Sequence, residues 1–181
     1  MAGEREADDD LGLGNPVPPA WSVGGGGDLR VPTVALAAEV ACVDGRQFPG
    51  RIFLPATASG HTGVMRAEEW MNEPHEFFPL LPDGARSPVI LNKREVLVVT
   101  VPASADHDVV LEEAHTPQRR VAVECGGLRL EGTIVIDMPE AQSRVLDYFN
   151  RPGAFLTLRQ EDRHCLVCKA RITRVLEIRE D

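Results

Sequence analysis

The chain has 181 residues, of which 43% are hydrophobic and only 5% aromatic, as is typical of a globular protein with one or two small cores. Its net charge of −9 disfavours nucleic-acid binding, since such domains usually carry a basic surplus. No apolar run approaches the roughly 20 residues that span a bilayer, and the acidic start is unlike a secretory signal, so we expect a protein of the bacterial cytoplasm.

Residues 1–30 combine acidic side chains with the runs GLGNPVPP and GGGG. Segments of this composition cannot bury enough apolar area to offset the entropy of ordering them. The sequence therefore predicts a disordered tail, which carries part of the negative charge. Trp21 is the exception, and we expect it to dock on the folded part of the chain.

Residues 31–102 predict five short strands with one helix between the second and third. Asp44-Gly45 is typical of a tight hairpin turn, because glycine supplies a positive φ angle. A loop insertion at 57–63 precedes the helix, which is predicted from about Gly63 to Met71 with Thr62 as its N-terminal cap. The strands are predicted at Val34–Val43, Gln47–Leu54, Phe77–Leu81, Val89–Asn92 and Val96–Val101.

Residues 103–118 are polar and bounded by prolines, so they predict a linker. Residues 119–181 then repeat the same order of elements. A Gly126-Gly127 turn joins the first two strands, and a helix begins near Pro139 with Asp137 as its cap. The strands are predicted at Arg119–Cys125, Leu128–Ile136, Phe155–Arg159, His164–Cys168 and Arg174–Ile178.

The two segments align without a gap around their helices, between Arg66–Leu80 and Arg144–Leu158. A recurrence at fixed spacing indicates duplication of one structural unit. We therefore predict two equivalent units, packed as a pseudo-twofold pair. The identical positions are Arg66 and Arg144, Asn72 and Asn150, Pro74 and Pro152, Phe77 and Phe155, and Leu80 and Leu158.

Each helix is followed by an Asn-x-Pro motif, at Asn72 and Asn150. Asparagine tolerates the left-handed conformation of a C-terminal cap, and the residue before proline avoids helical angles. The motif therefore predicts that both helices end at these asparagines.

The layout of each unit resembles the Sm-like small β-barrels, in which a meander closes on itself and a tight helical turn separates the fourth and fifth strands. The runs ILNKREVLVV and CKARITRVLEI carry this resemblance. The helix departs from it, because Sm-like proteins begin with their helix. The resemblance implies a mainly β fold of two tandem small β-barrel repeats, and RNA binding near Lys93, Arg94, Arg171 and Arg174.

Cys165 and Cys168 have a spacing that zinc sites use. Residues three apart on a strand point to opposite faces, however, so these thiols are not expected to share an ion. We predict reduced, buried cysteines and no cofactor. His164, beside these thiols, would belong to a catalytic site if one lay between the units.

Arg66 and Trp70, like Arg144 and Tyr148, stand four apart on their helices, with Glu69 or Asp147 three residues from the arginine. Such pairs can stack. They form a candidate binding face, and the alternative is that each stack fixes its helix on the barrel. The structural alternative is favoured, because exposed stacking stabilises by only about 0.5–1 kcal/mol.

The chain shows no catalytic motif but two equivalent faces. We therefore predict a non-catalytic binding or scaffolding protein that uses its strand edges or the interface between units for a protein partner or for self-association. The alternatives are an Sm-like RNA-binding module and an enzyme with a site between the units.

Overall fold

The computed structural model describes residues 32–58, 64–104, 116–137 and 144–178. The predicted tail with Trp21, most of the loop insertion with Thr62, most of the linker, and the predicted helix start at Pro139 lie outside these residues.

The described residues form ten strands and two short helices. The first half contains β1 (Thr33–Cys42), β2 (Gln47–Pro55), α1 (Ala67–Asn72), β3 (Phe77–Pro82), β4 (Val89–Asn92) and β5 (Val96–Pro102). The second half contains β6 (Gln118–Cys125), β7 (Leu128–Val135), α2 (Val145–Asn150), β8 (Phe155–Arg159), β9 (Arg163–Cys168) and β10 (Ile172–Glu177). A single 3-10 turn precedes the last strand of each half, at Lys93–Glu95 and Lys169–Arg171.

All ten strands belong to one antiparallel sheet, in the order β10-β6-β7-β8-β9-β5-β1-β2-β3-β4. The mainly β prediction is confirmed. The sheet is not closed, because β10 and β4 are its two ends, so the strand pairing does not confirm the predicted pair of small β-barrels.

The two halves follow each other in the sheet in the same sense. The fifth strand of the first half, β5, pairs with the fourth strand of the second half, β9. A twofold axis would instead place like strands against each other. The predicted pseudo-twofold packing is therefore wrong, and the halves are joined head to tail.

Both predicted hairpins are present. β1 pairs with β2, and β6 with β7, along their whole lengths. Their turns contain glycines with positive φ, at Gly45, Gly126 and Gly127. Asp44 strengthens the first turn, because its Oδ1 accepts the Arg46 N–H at 3.0 Å.

A glycine at the same point in β2 and β7 lets the next strand cross closely. A Cβ on Gly50 would overlap the carbonyl of Leu81, and one on Gly132 the carbonyl of Arg159. Only glycine admits this approach of two backbones. The second and third strands of each half therefore share only a few residue pairs where they cross.

Each half has its own hydrophobic core. The first cluster centres on Val40, Ile52, Met71 and Phe78, and the second on Val123, Ile134, Tyr148 and Leu158. The clusters also exchange residues across the β5–β9 pairing. Leu166 of β9 packs into the first cluster and Val98 of β5 into the second, so this pairing is part of both cores.

Candidate interaction site: the junction and the two free edges

The two helices begin in the same way, and α1 begins later in the chain than the predicted start near Gly63. Arg66 and Arg144 are their N-terminal caps, in extended conformation. The acidic residue three positions on accepts the arginine's own N–H, from Arg66 to Glu69 at 2.9 Å and from Arg144 to Asp147 at 3.4 Å. Each acidic side chain therefore hydrogen-bonds to the backbone of its arginine, as in a capping box, and does not pair with the guanidinium in these bonds.

The aromatic residues of the candidate binding face are buried. Trp70 is 7% exposed and Tyr148 is 2% exposed. Trp70 packs edge-on against Phe78, with ring centroids 5.6 Å apart. The Tyr148 hydroxyl donates to the Thr157 carbonyl at 3.1 Å. These rings hold each helix on its core, so they are not available to an external ligand.

Asn72 links the first helix to the second half of the chain. Its Oδ1 accepts the Phe155 N–H at 2.8 Å and its Nδ2 donates to the Phe155 carbonyl at 3.1 Å. Asn72 does not adopt the predicted left-handed conformation, since no described residue except glycine has a positive φ. The following Glu73, which precedes a proline, is extended and ends the helix.

Glu68 makes the second contact between α1 and the other half. Its carboxylate accepts hydrogen bonds from the Arg151 guanidinium and the Thr157 hydroxyl. The Arg151 guanidinium also lies over the Tyr148 ring, 4.2 Å from its centroid. We call the β5–β9 pairing together with these contacts of Asn72 and Glu68 the junction.

A polar cleft of about 360 Å³ opens beside the junction. Glu68 and Arg151, two of its charged groups, are already engaged, since the Glu68 carboxylate accepts hydrogen bonds from Arg151 and Thr157. His164, Cys165 and Cys168 do not line it. The catalytic constellation that the sequence analysis named as an alternative is therefore not assembled in this cleft. Its lining residues are Arg66, Glu68, Glu69, Asn72, Val135, Asp137, Tyr148, Arg151, Thr157 and Arg159.

Cys165 and Cys168 lie on opposite faces of β9, as the spacing predicted. Cys165 packs in the second core cluster and Cys168 in the first. Burial raises the pKa of all four thiols, that of Cys125 to about 11. Among the described residues, no three histidine, cysteine or acidic side chains are grouped so as to hold a metal ion.

The four candidate RNA contacts are engaged within the chain. Lys93 is 7% exposed, and its Nζ donates to the carbonyls of Trp70 at 3.3 Å and Glu73 at 2.9 Å. The other three are arginines with acidic neighbours, which offset part of the positive charge that they would offer to a phosphate. Arg94 pairs with Glu76 at 2.6 Å, Arg171 with Glu95 at 3.9 Å and Arg174 with Glu124 at 2.5 Å.

The two end strands of the sheet carry exposed apolar side chains. Ile90 of β4 is 64% exposed, and its counterpart in the other half, Leu166, is 1% exposed. Leu176 of β10 is 40% exposed. Among the described residues, no strand pairs with the outer side of either β4 or β10. We call these two surfaces the β4 edge and the β10 edge.

Two further exposed side chains flank these edges. Phe77, next to β4, is 53% exposed, whereas its counterpart Phe155 at the junction is 1% exposed. Leu146 of α2 is 67% exposed and stands where α1 has Glu68. Sequence reasoning treated Phe77 and Phe155 as equivalent and so missed that one of them is uncovered.

No family model matches the chain, and no match is found among curated proteins or solved structures. No helix within the described parts of the chain is long and apolar enough to cross a membrane.

Proposed function

We propose that this chain is a non-catalytic binding or scaffolding protein, built from two small β-barrel units joined head to tail, and that it engages a protein partner through the β4 and β10 edges. The observation that carries the proposal is the pair of uncovered strand edges with apolar side chains at both ends of an ordered sheet. Such edges offer unpaired N–H and C=O groups to an added strand.

The chemistry of the interior supports a binding role over a catalytic one. Burial raises the pKa of the thiols, which keeps them protonated and poorly nucleophilic. The buried amine of Lys93 holds the end of α1, and the polar groups of the junction hold the two halves together. These groups stabilise the fold, whereas the exposed apolar edges contact no further strand among the residues that the structure describes.

The test is whether partner binding depends on the edges. Tagged full-length chain is used to retain partners, and the same experiment is run with Ile90→Pro and Glu177→Pro. Each substitution removes an N–H from an outer edge. We expect the amount of retained protein to fall at least tenfold in these variants and to remain unchanged with Leu128→Lys, which alters an exposed apolar residue of β7.

Retention that is equal in all variants would overturn the proposal. Turnover of a substrate by the purified chain, in a panel of hydrolase substrates, would overturn its non-catalytic part.

A further inference from the structure

The junction joins two different strand edges, those of β5 and β9. The two end strands of the sheet, β10 and β4, are the counterparts of these strands in the repeated order of elements. β5, the last strand of the first half, corresponds to β10, and β9, the fourth strand of the second half, corresponds to β4. The β10 edge of one molecule is therefore equivalent to the surface that β5 offers at the junction. The β4 edge is equivalent to the surface that β9 offers.

The residues of the free edges that correspond to hydrogen-bonded residues of the junction point their backbone N–H and C=O groups outward. At the junction, the Ala103 N–H donates to the Asp162 carbonyl at 3.1 Å, and hydrogen-bonded pairs alternate along antiparallel strands. Val99 and Leu166 are therefore a hydrogen-bonded pair of the junction. Their counterparts in the repeated order of elements are Val175 and Ile90.

The same alternation fixes the direction of Val175 and Ile90. The Ile178 N–H donates to the Arg120 carbonyl, so the polar groups of Val175 point away from β6. The Lys93 N–H donates to the Glu76 carbonyl, so those of Ile90 point away from β3. Both residues present their N–H and C=O groups at the free edges.

The side chains at these positions suit the same pairing. Transfer of the junction register opposes Val175 to Ile90 and Leu176 to Val89, two apolar pairs. Leu166, the counterpart of Ile90, is buried in the core of the other half. Burial of Ile90 and Leu176 by a second copy would remove apolar area that is now exposed to water.

The helix contact of the junction also has an unused counterpart. Asn150 is exposed and corresponds to Asn72, while Phe77 corresponds to Phe155. Phe77 lies opposite Asn92, one residue from the bonded pair of Glu76 and Lys93, so its polar groups face away from β4. Asn150 of one copy can therefore hold Phe77 of the next as Asn72 holds Phe155.

The polar Glu68 contact is replaced by an apolar one. At the equivalent position of the second helix stands Leu146, and the counterpart of Thr157 is Pro79. The most exposed large apolar side chain of α2 would therefore meet a proline ring, where the junction has a hydrogen bond.

The geometry points to head-to-tail self-association, in which the β10 edge of one copy pairs with the β4 edge of the next in the register of the junction. This inference rests on the proposed function and names its partner as a second copy of this chain. Because the two surfaces differ, the contact is heterologous, and repetition gives a closed ring or an open chain according to the rotation at each step.

The test uses one variant for each edge, in the full-length chain. Ile90→Pro blocks the β4 edge and Glu177→Pro the β10 edge, because each removes an outward N–H. Mass is measured by sedimentation over a range of concentrations. We expect the wild-type chain to form assemblies of two or more copies of 19.8 kDa. Each variant alone should have the mass of one chain.

The equimolar mixture of the two variants is the decisive sample. Ile90→Pro keeps an intact β10 edge and Glu177→Pro an intact β4 edge, so the mixture should form dimers and nothing larger. The controls Ile90→Val and Glu177→Ala keep the N–H groups and should assemble as the wild type does. Circular dichroism and melting establish that each variant is folded.

A second pair of variants serves if a proline variant fails to fold. Val89→Cys and Leu176→Cys place thiols at opposed positions of the inferred contact, and their mixture should form a disulfide-linked dimer on mild oxidation. A wild-type mass of one chain at all concentrations, assembly that survives both proline variants, or variants that do not complement each other would overturn the inference. If the edges bind a different protein while the chain alone stays single, the proposed function stands and the inference fails.

Discussion

At the scale of single residues, Lys93 shows how a side chain suited to nucleic acid serves the fold. Its amine lies under the end of α1 and donates to two carbonyls of that helix end. Burial lowers its pKa from 10.5 to about 8, and nearby Glu73 opposes this shift. Lys169 repeats the arrangement, with its amine donating to the carbonyl of Arg151.

The lowered pKa of Lys93 makes the free energy of unfolding depend on pH. Between about pH 8 and pH 10.5 the unfolded chain binds a proton that the folded chain does not, so this contribution to stability increases as the pH rises. We expect the stability difference between wild type and Lys93→Met to shift in favour of the wild type over this range, by up to about 3 kcal/mol.

Urea unfolding of both proteins at several pH values measures this shift. The raised pKa of the cysteines acts in the opposite direction, since their contribution is lost as the pH rises above 9.0, but it cancels in the difference between the two proteins. A difference that stays constant with pH would show that Lys93 is not buried as described.

At the scale of elements, the junction depends on Asn72, whose equivalent in the second half, Asn150, is exposed. Asn72→Ala would leave the N–H and C=O of Phe155 without their partners. We expect it to lower the free energy of unfolding by about 2 kcal/mol, since unpaired buried polar groups cost about 1–3 kcal/mol. Denaturant unfolding measures the loss.

Asn150→Ala is the matched control, because the residue is identical and exposed. In the Ile90→Pro background, in which the β4 edge is blocked, we expect it to change stability by less than about 0.5 kcal/mol. An equal loss of stability in both variants would mean that Asn150 is also covered by another element or that Asn72 does not make the junction contact.

Local signals predicted the elements well. Asp44-Gly45 and the paired glycines at 126–127 marked both hairpins, and the three polar residues Lys93-Arg94-Glu95 marked the 3-10 turn. The start of α1 was placed too early in the chain, near Gly63 instead of Ala67. The signal was the acidic residue three positions after Arg66 or Arg144, which accepts the arginine's N–H.

The junction could not be read from the positions that the halves share. Asn72 and Asn150 are identical in sequence, yet only one of them meets a strand. The positions that differ are the informative ones. Glu68 and Thr157 form the polar contact between the halves. Their equivalents in the repeat, Leu146 and Pro79, are apolar. Tertiary packing determines which surface of one half contacts the other half, and local sequence patterns do not show it.

At the scale of the whole molecule, head-to-tail order explains why equivalent residues differ in exposure. Phe155 and Leu166 are covered because the first half lies against them, and Phe77 and Ile90 are uncovered because no described element does. A pseudo-twofold pair would have covered equivalent residues alike. Both proposals rest on this order, since it leaves one edge of each kind free.

The most direct test of this order is a disulfide across the junction. The Thr100 hydroxyl lies 4.0 Å from the Cys165 thiol, on opposed residues of β5 and β9, and facing residues at a pair without hydrogen bonds stand close enough for a disulfide. In Thr100→Cys, mild oxidation followed by peptide mapping should join the introduced thiol to Cys165 within one chain, while Thr33→Cys at the start of β1 should leave Cys165 free. An introduced thiol at position 100 that stays reduced, or that links to a cysteine other than Cys165, would contradict the head-to-tail order.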